Sequence, residues 1–354
     1  YTPLIYAAIC AKCCDDGQIY AGLDVSDKTA HICTVDAEGA VVHRDVVASD
    51  PDALGRWLER HCPDLKRVVL ETGPLSTFLY HGLADRALPV ECVCARHAKG
   101  VLSTRVNKSD VHDAEGLAHL ARTGWFKRIH MKASASHIDR AALRIRAQLI
   151  TARNAMANQL RGLLKLFGLK LGYARTPGQR AERLAALYRQ RPDLEPLFAP
   201  LMKSIETMEQ QLGASNRVLE ARAGADPVCA RLMTVPGVGP ITALTFAATI
   251  EDPHRFARSE DVGAYAGLVP RRSQSGERDV RGSISKAGDP MLRRALFEAA
   301  NVMLSRVQRP FALQQWGRRI LESKGTKRAK VAVARKLAIL LHSLWLNETE
   351  FRWA

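Results

Sequence analysis

Short apolar runs of strand character alternate with helical stretches from Gln18 to about Lys132, and beyond that point apolar residues recur mainly at helical spacing. A chain divided in this way has to build a sheet in its first third and pack helices elsewhere. Strands are expected near residues 18–25, 29–36, 40–48, 67–71 and 89–94, with the turn Asp36-Ala37-Glu38-Gly39 joining two of them. Helices are expected near 51–61, opened by Ser49-Asp50-Pro51, and near 75–87 and 111–123.

Three strands in meander followed by alternating helix and strand describe an α/β layer with a mixed sheet, the ribonuclease H-like architecture. Four carboxylates fall at the ends of these elements. Asp24 ends the run Ile19 to Leu23, and Glu71 closes Arg67-Val68-Val69-Leu70 before Thr72-Gly73-Pro74 stops the strand. Asp110 and Asp113 lie at the mouth of a helix in Lys108-Ser109-Asp110-Val111-His112-Asp113, where a spacing of three puts them on one face. Four gathered carboxylates repel one another unless divalent cations neutralise them. Phosphodiester chemistry uses such sites, because two hard cations about 3.5 to 4 Å apart stabilise both attacking and leaving oxygens. The bland alternative is that four unrelated acids of an ordinary surface have been grouped by eye.

The 354 residues suffice for two or three domains, and Lys plus Arg (52) exceed Asp plus Glu (36) by 16. That surplus points to a polyanion, nucleic acid being the commonest, against the alternative of a merely solvated basic surface. No run of about 18 apolar residues is present, and Tyr1 to Cys14 lacks a basic leader, so no membrane partner and a cytoplasmic location are expected. The eight cysteines are irregularly spaced and are expected as reduced thiols. Cys10, Cys13, Cys14, Cys92 and Cys94 offer partial zinc-ligand sets without a familiar four-ligand spacing. Residues 1–17 are expected to form a disordered leader, and residues 18–132 the α/β domain.

Residues 133–223 are expected to form a basic coiled-coil domain. Ala142, Ile145, Leu149, Ala152, Met156, Leu160, Leu163 and Phe167 recur in steps of three and four, as do Leu201, Ile205, Met208, Leu212, Ser215 and Leu219. Gly168 to Gly178 and Arg191-Pro192-Asp193 interrupt the pattern, giving two long arms with a short helix between. Arg140, Arg144, Arg146, Arg153, Arg161, Lys165 and Lys170 are expected largely off the seam, where they track a phosphate backbone or keep the helix soluble. The seam itself also suits an oligomerisation arm.

Residues 224–354 are expected to form a mainly helical domain. Val235-Pro236-Gly237-Val238-Gly239-Pro240 has the pattern of a helix-hairpin-helix turn, whose glycines let backbone amides reach a phosphate. A purely structural turn is the alternative. A polar loop follows, with Arg271, Arg272, Ser273, Gln274, Ser275, Gly276, Arg278, Arg281 and Lys286, ending where Asp289 caps a helix opened by Pro290. Arginines around a serine hold a phosphate that the hydroxyl can attack, yet any one of these serines also serves as a loop hydrogen-bonder.

Gly22-Leu23-Asp24-Val25-Ser26, Glu71-Thr72-Gly73, Ala95-Arg96-His97-Ala98-Lys99, Asn107 to Ala114 and Thr123-Gly124-Trp125 resemble motifs of the DEDD transposases of bacterial insertion sequences. Val235 to Pro240, Gln274-Ser275-Gly276 and Ile284-Ser285-Lys286 resemble the second domain of that family, in the same order, over residues 18 to 347. The resemblance implies a RuvC-type nuclease domain joined through a coiled coil to a transposase domain, acting on donor and target DNA under the guidance of a noncoding bridge RNA. It implies that Asp24, Glu71, Asp110 and Asp113 bind Mg2+, for which Mn2+ can substitute, and that Ser275 attacks the DNA phosphate. Nucleic-acid contacts are expected at Arg153, Arg161, Lys165, Gly237, Gly239, Arg271, Arg272 and Lys286. A homo-oligomer, dimer or tetramer, is implied, with the metal cluster and the serine supplied by different protomers. Ser273 stands where many relatives have a tyrosine, and Gly276 marks Ser275 as the nucleophile. Two other readings compete: a metal-dependent junction endonuclease with no use for Ser275, and a non-catalytic nucleic-acid-binding module.

Overall fold

The computed structural model describes residues 17–102, 109–174, 176–276 and 278–353. The expected leader, with Cys10, Cys13 and Cys14, lies outside the described residues except for Gly17, as do Asn107 and Lys108. The chain divides between Lys132 and Ala133 into two compact units.

The first unit opens with β1 (Ile19–Val25), β2 (Thr29–Val35) and β3 (Val41–Ala48), an antiparallel meander. There follow α1 (Pro51–His61), β4 (Leu65–Glu71), α2 (Ser76–Asp85), β5 (Val90–Val93), α3 (Ala95–Leu102) and α4 (Asp110–Thr123). The sheet order is β3-β2-β1-β4-β5, with β4 parallel to β1 and β5 parallel to β4, which is the expected ribonuclease H-like mixed sheet. Helix α3 has no counterpart among the expected elements.

Local chemistry sets the helix ends. The Asp50 carboxylate accepts from the N–H groups of Asp52 and Ala53, both at 3.0 Å, and Pro51 occupies the first position of α1. Ser109 caps α4 by accepting from the N–H of His112, and Gly124, at φ +66°, ends it. Strand alternation then sorts the two faces of the sheet. Ala21, Leu23, Val68 and Leu70 bury against Leu54, Leu58, Leu79 and Leu83 of α1 and α2. Val69 and Val93 face the other way, onto Leu117, Leu120 and Ala121 of α4. Gly22 shares that second face, and a Cβ there would lie 2.2 Å from the carbonyl oxygen of Ala114 and from the amide nitrogen of Ala118. Only glycine lets α4 lie this close to β1.

The second unit begins with α5 (Ser134–Leu166), α6 (Pro177–Gln190) and α7 (Glu195–Ala225). Helices α5 and α7 run antiparallel, since Asp139 pairs with Arg222 and the Arg146 guanidinium donates to Asn216 Oδ1 at 2.6 Å. Far from the root, Leu160 and Leu164 of α5 cluster with Leu184, Leu194, Phe198 and Ile205. At the root, Leu143, Leu219 and Ala223 enter the same apolar cluster as the C-terminal helices. The expected α5 seam needs correction: Ile145 is 60 % exposed and Phe167 37 %, whereas Leu143 and Leu164 are buried. Spacing in threes and fours leaves the stripe free to rotate by a residue, and packing of α6 and α7 settles it.

The remaining elements are α8 (Pro227–Met233), α9 (Pro240–Ile250), α10 (Ser259–Tyr265), β6 (Pro270–Ser275), β7 (Arg278–Ile284), α11 (Pro290–Ser305), α12 (Ala312–Lys324) and α13 (Thr326–Leu346). The segment expected as a polar loop is a two-stranded antiparallel ribbon, β6 against β7. Every residue of β6 is exposed, so neither face needs apolar residues and the hydrophobic alternation that betrays a strand is missing. Among the described residues no helix is long and apolar enough to cross a membrane.

Candidate active sites

Asp24 and Glu71 follow directly after the in-register pair Leu23 and Leu70 on the parallel neighbours β1 and β4. They therefore stand side by side at one end of the sheet, on the face that carries Gly22 and Val69, and both line one cavity with Ser26, Thr72 and Ser76. Helix α4 lies on that same face. Because Ala114 sits over Gly22, the preceding turn, with Asp110 and Asp113, is carried toward the Asp24 end. Asp110 Oδ2 lies 3.7 Å from Nε2 of His31, and His31 is the cross-strand partner of Asp24. Asp24 and Glu71 thus share one mouth, and the first turn of α4 lies at the same end of the sheet, but the four carboxylates are not drawn together: among the described residues no three His, Cys, Asp or Glu side chains are close enough to hold a metal ion. The donor set is all-oxygen, which fits a hard cation, and Asp24 with Glu71 is the pair that would hold it first. His31 was not among the expected site residues; in an alternating strand its spacing carries no signal of its own.

None of the five described cysteines is in a disulfide. Burial pushes the Cys92 thiol up to about 12, so with no metal bound it stays protonated at neutral pH.

In the second unit Ser275 is the last residue of β6, cross-strand from Arg278, with Gly276 at φ +56° turning the chain. Ser273 sits two residues back on the same face, opposite Val280. Arg272 reaches Asp279 with two hydrogen bonds of 2.8 and 3.0 Å, and Arg271 donates to the Ser285 carbonyl at 3.4 Å. Both expected phosphate contacts thus have partners within the ribbon. The ribbon's base is fixed by backbone crowding. A Cβ on Gly288 would lie 1.9 Å from the Tyr265 carbonyl oxygen, Gly267 has φ +69°, and Lys286, itself at φ +54°, donates its N–H to Gly267 O at 3.1 Å. Asp289 closes the base as the cap of α11, accepting from Met291 and Leu292 and from Arg140 at 2.7 Å.

The helix-hairpin-helix turn joins α8 to α9. Gly237, at φ +92°, packs so that a Cβ would come 3.0 Å from Ala299 O, so this glycine serves the contact with α11. A Cβ on Gly239 would meet nothing within 4 Å, and α9 begins there without a side-chain cap, which leaves the amides of Ile241 and Thr242 without an intrahelical acceptor, although Glu298 lines the same cavity. On the arm, Arg153 donates to Asn154 and Arg161 to Asn158, both local contacts, while Lys165 is exposed. Arg140 and Arg146 are not off the seam as expected: Arg140 bonds Thr249 and Asp289, and burial lowers the Arg146 pKa. A buried arginine with internal acceptors looks in sequence like any other basic residue on a helix.

Comparison with known proteins gives these arrangements a context. The family model for transposases of the IS116/IS110/IS902 family matches residues 229–315, and a DEDD transposase model of the IS110 group matches residues 21–168. The chain is 29 % identical over 339 residues to the transposase for insertion sequence element IS1111A of Coxiella burnetii, covering 94 % of this chain and 90 % of that one. It is 31 % identical over 255 residues to a probable family 20 transposase of Pseudomonas aeruginosa, covering 70 % of this chain and 74 % of the relative. A pilin gene-inverting protein of Moraxella lacunata is 35 % identical over 116 residues, 32 % of this chain and 35 % of its own. A ribonuclease H-like unit with carboxylates at its central strand ends, matched in this way, defines the class: a DNA transposase or recombinase. Within that class, the chain belongs to the IS116/IS110/IS902 family of transposases.

Proposed function

We propose that this transposase cuts and rejoins DNA through a phosphoserine at Ser275, assisted by a Mg2+-binding group of Asp24, Glu71, Asp110 and Asp113. The observation that carries the reading is the hydroxyl of Ser275 at the end of an exposed ribbon whose base is fixed by the Gly267 and Gly288 contacts. A nucleophile must reach a backbone phosphate yet keep its aim, and this mounting supplies both. In the step itself Ser275 Oγ loses its proton and bonds to phosphorus. One phosphate–sugar ester bond breaks, and the departing sugar oxygen takes up a proton. The number of phosphoesters is conserved, so a second sugar hydroxyl can reverse the step and rejoin a strand without ATP. A cation held by the carboxylates would supply Lewis-acid charge to the phosphate oxygens. The relative named for inverting a pilin gene supports rejoining rather than simple cutting. A noncoding bridge RNA guides target choice, protomers pair as a dimer or tetramer, and Gly239, Lys165, Arg153 and Arg161 meet phosphates. The reaction takes place in the cytoplasm, on the nucleoid.

The test uses a DNA substrate interrupted to block rejoining, with the guide RNA. Denaturing electrophoresis is expected to reveal a protein–DNA adduct that maps to Ser275, is lost in Ser275→Ala and in excess chelator, and persists in Ser273→Ala. Cleavage without an adduct would replace this reading with that of a junction endonuclease, and an adduct on Ser273 would move the nucleophile.

A further inference from the structure

Residues 125–131 run antiparallel along the outer side of β5. The Ile129 N–H donates to Cys92 O at 2.8 Å, Val93 forms a bridge with Arg128, and the Cys94 N–H reaches Lys127 O at 3.5 Å. Ile129 and Met131 turn onto the apolar cluster under the sheet, and Phe126 packs on the α4 side near Val69 and Val93. That leaves Trp125, Lys127, Arg128 and His130 exposed, the tryptophan at 70 %. The Arg128 guanidinium is steadied by Glu91 at 2.7 Å and still keeps 64 % of its side chain in solvent. The strip also lies level with the acidic mouth. Glu71 is paired with Val93, and Val93 with Arg128, so Arg128 is two strand spacings, about 10 Å, from Glu71.

A large indole left in water beside two basic side chains is the combination that binds single-stranded nucleic acid: the ring stacks a base and the cations meet phosphates. We infer that this strip docks a single strand of DNA that continues from the acidic mouth, with Trp125 stacking an unpaired base and Lys127 and Arg128 meeting its phosphates. A second copy of the chain is a poorer occupant, because it would bring the same positive strip against this one and lysine is depleted at protein interfaces. DNA is chosen over RNA because DNA is what a transposase brings to its carboxylates. The inference rests on reading that mouth as the place where DNA is cut.

The test reads binding without cleavage, using the full chain and fluorescein-labelled 12-nucleotide oligothymidine, a blunt duplex of equal length and oligouridine RNA. Trp125→Ala is expected to weaken oligothymidine binding roughly tenfold and leave duplex binding unchanged, while Trp125→Phe stays near the parent. Replacing Lys127 and Arg128 together by Ala is expected to weaken oligothymidine binding and flatten its salt dependence. Unchanged oligothymidine affinity in Trp125→Ala would overturn the inference. So would Trp125-dependent binding that is tighter for oligouridine, or a Trp125→Ala change confined to oligomer mass in sedimentation. The same titrations on Asp24→Asn separate the two proposals: cleavage retained there overturns the reading of the mouth, whereas cleavage lost with Trp125-dependent binding intact leaves both standing.

Discussion

Gly22 decides whether α4 can bring its first turn to the carboxylate end of the sheet. Its missing side chain is what allows α4 to lie on β1, and the first turn of α4 carries Asp110 and Asp113. Gly22→Ala is expected to destabilise the protein by about 3 kcal/mol or more in denaturant unfolding and to abolish cleavage, since the added methyl meets backbone that cannot step aside. Gly162→Ala is the control: nothing lies within 4 Å of a Cβ there, it sits inside α5, and a gain of roughly 0.5 to 1 kcal/mol is expected. The strand-end positions of Asp24 and Glu71 could be read from the chain, because an apolar run that stops at a carboxylate has a definite register. The partnership of Asp110 with His31 could not. It arises where α4 crosses β2, a contact between positions far apart in sequence.

At the level of elements, the strands, the arm and the capped helices follow from periodicity and caps, which are local signals. The β6–β7 ribbon and the seating of Arg140 are not local. Strand β6 is polar and exposed along its whole length, and Arg140 is drawn inward by acceptors on α9 and at the head of α11. The Arg140–Asp289 pair ties the arm root to the end of the serine ribbon, with side-chain exposures of only 14 % and 17 %. Burial alone would raise the Asp289 pKa, but the Arg140 guanidinium and the amides of Leu292 and Met291 outweigh it and hold the carboxyl below its usual 3.8. A depressed folded pKa contributes stability that is present above the unfolded value and lost as pH falls through the folded one. Parent protein is therefore expected to lose stability on acidification below about pH 4 more steeply than Asp289→Asn, which lacks the titrating group. At pH 7 the variant is expected to be less stable by roughly 2 kcal/mol, because Arg140 keeps its burial and loses its counter-charge. Thermal melts at pH 7 and pH 3.5 check both parts; parallel curves would remove the pair's electrostatic role.

For the whole molecule the governing quantity is a formal charge of +16 spread over both compact units. Buried pairs such as Arg140–Asp289 and Arg180–Glu209 consume some of the cations internally. The exposed remainder, including Arg144, Lys165 and Lys170 on the arm, sets the field that a nucleic acid meets. Each phosphate neutralised releases a condensed counterion, so the logarithm of DNA affinity is expected to fall linearly with the logarithm of salt, by about 0.9 per duplex phosphate contact. Among the described residues Arg153 and Arg161 bond locally, to Asn154 and Asn158, neutral acceptors that leave their charge available to a ligand. Replacing both by Ala is expected to lower the magnitude of that slope by roughly 2 while leaving the unfolding midpoint nearly unchanged. The same pair of replacements should act alike on every duplex sequence, because a phosphate contact carries no sequence information. Titrations of labelled duplex between 50 and 300 mM salt, a range set by roughly where such slopes are measurable, would read the slope directly. An unaltered slope in the double variant would take the arm out of the DNA path and leave the cations of the C-terminal helices and the strip beside β5 to account for the charge dependence.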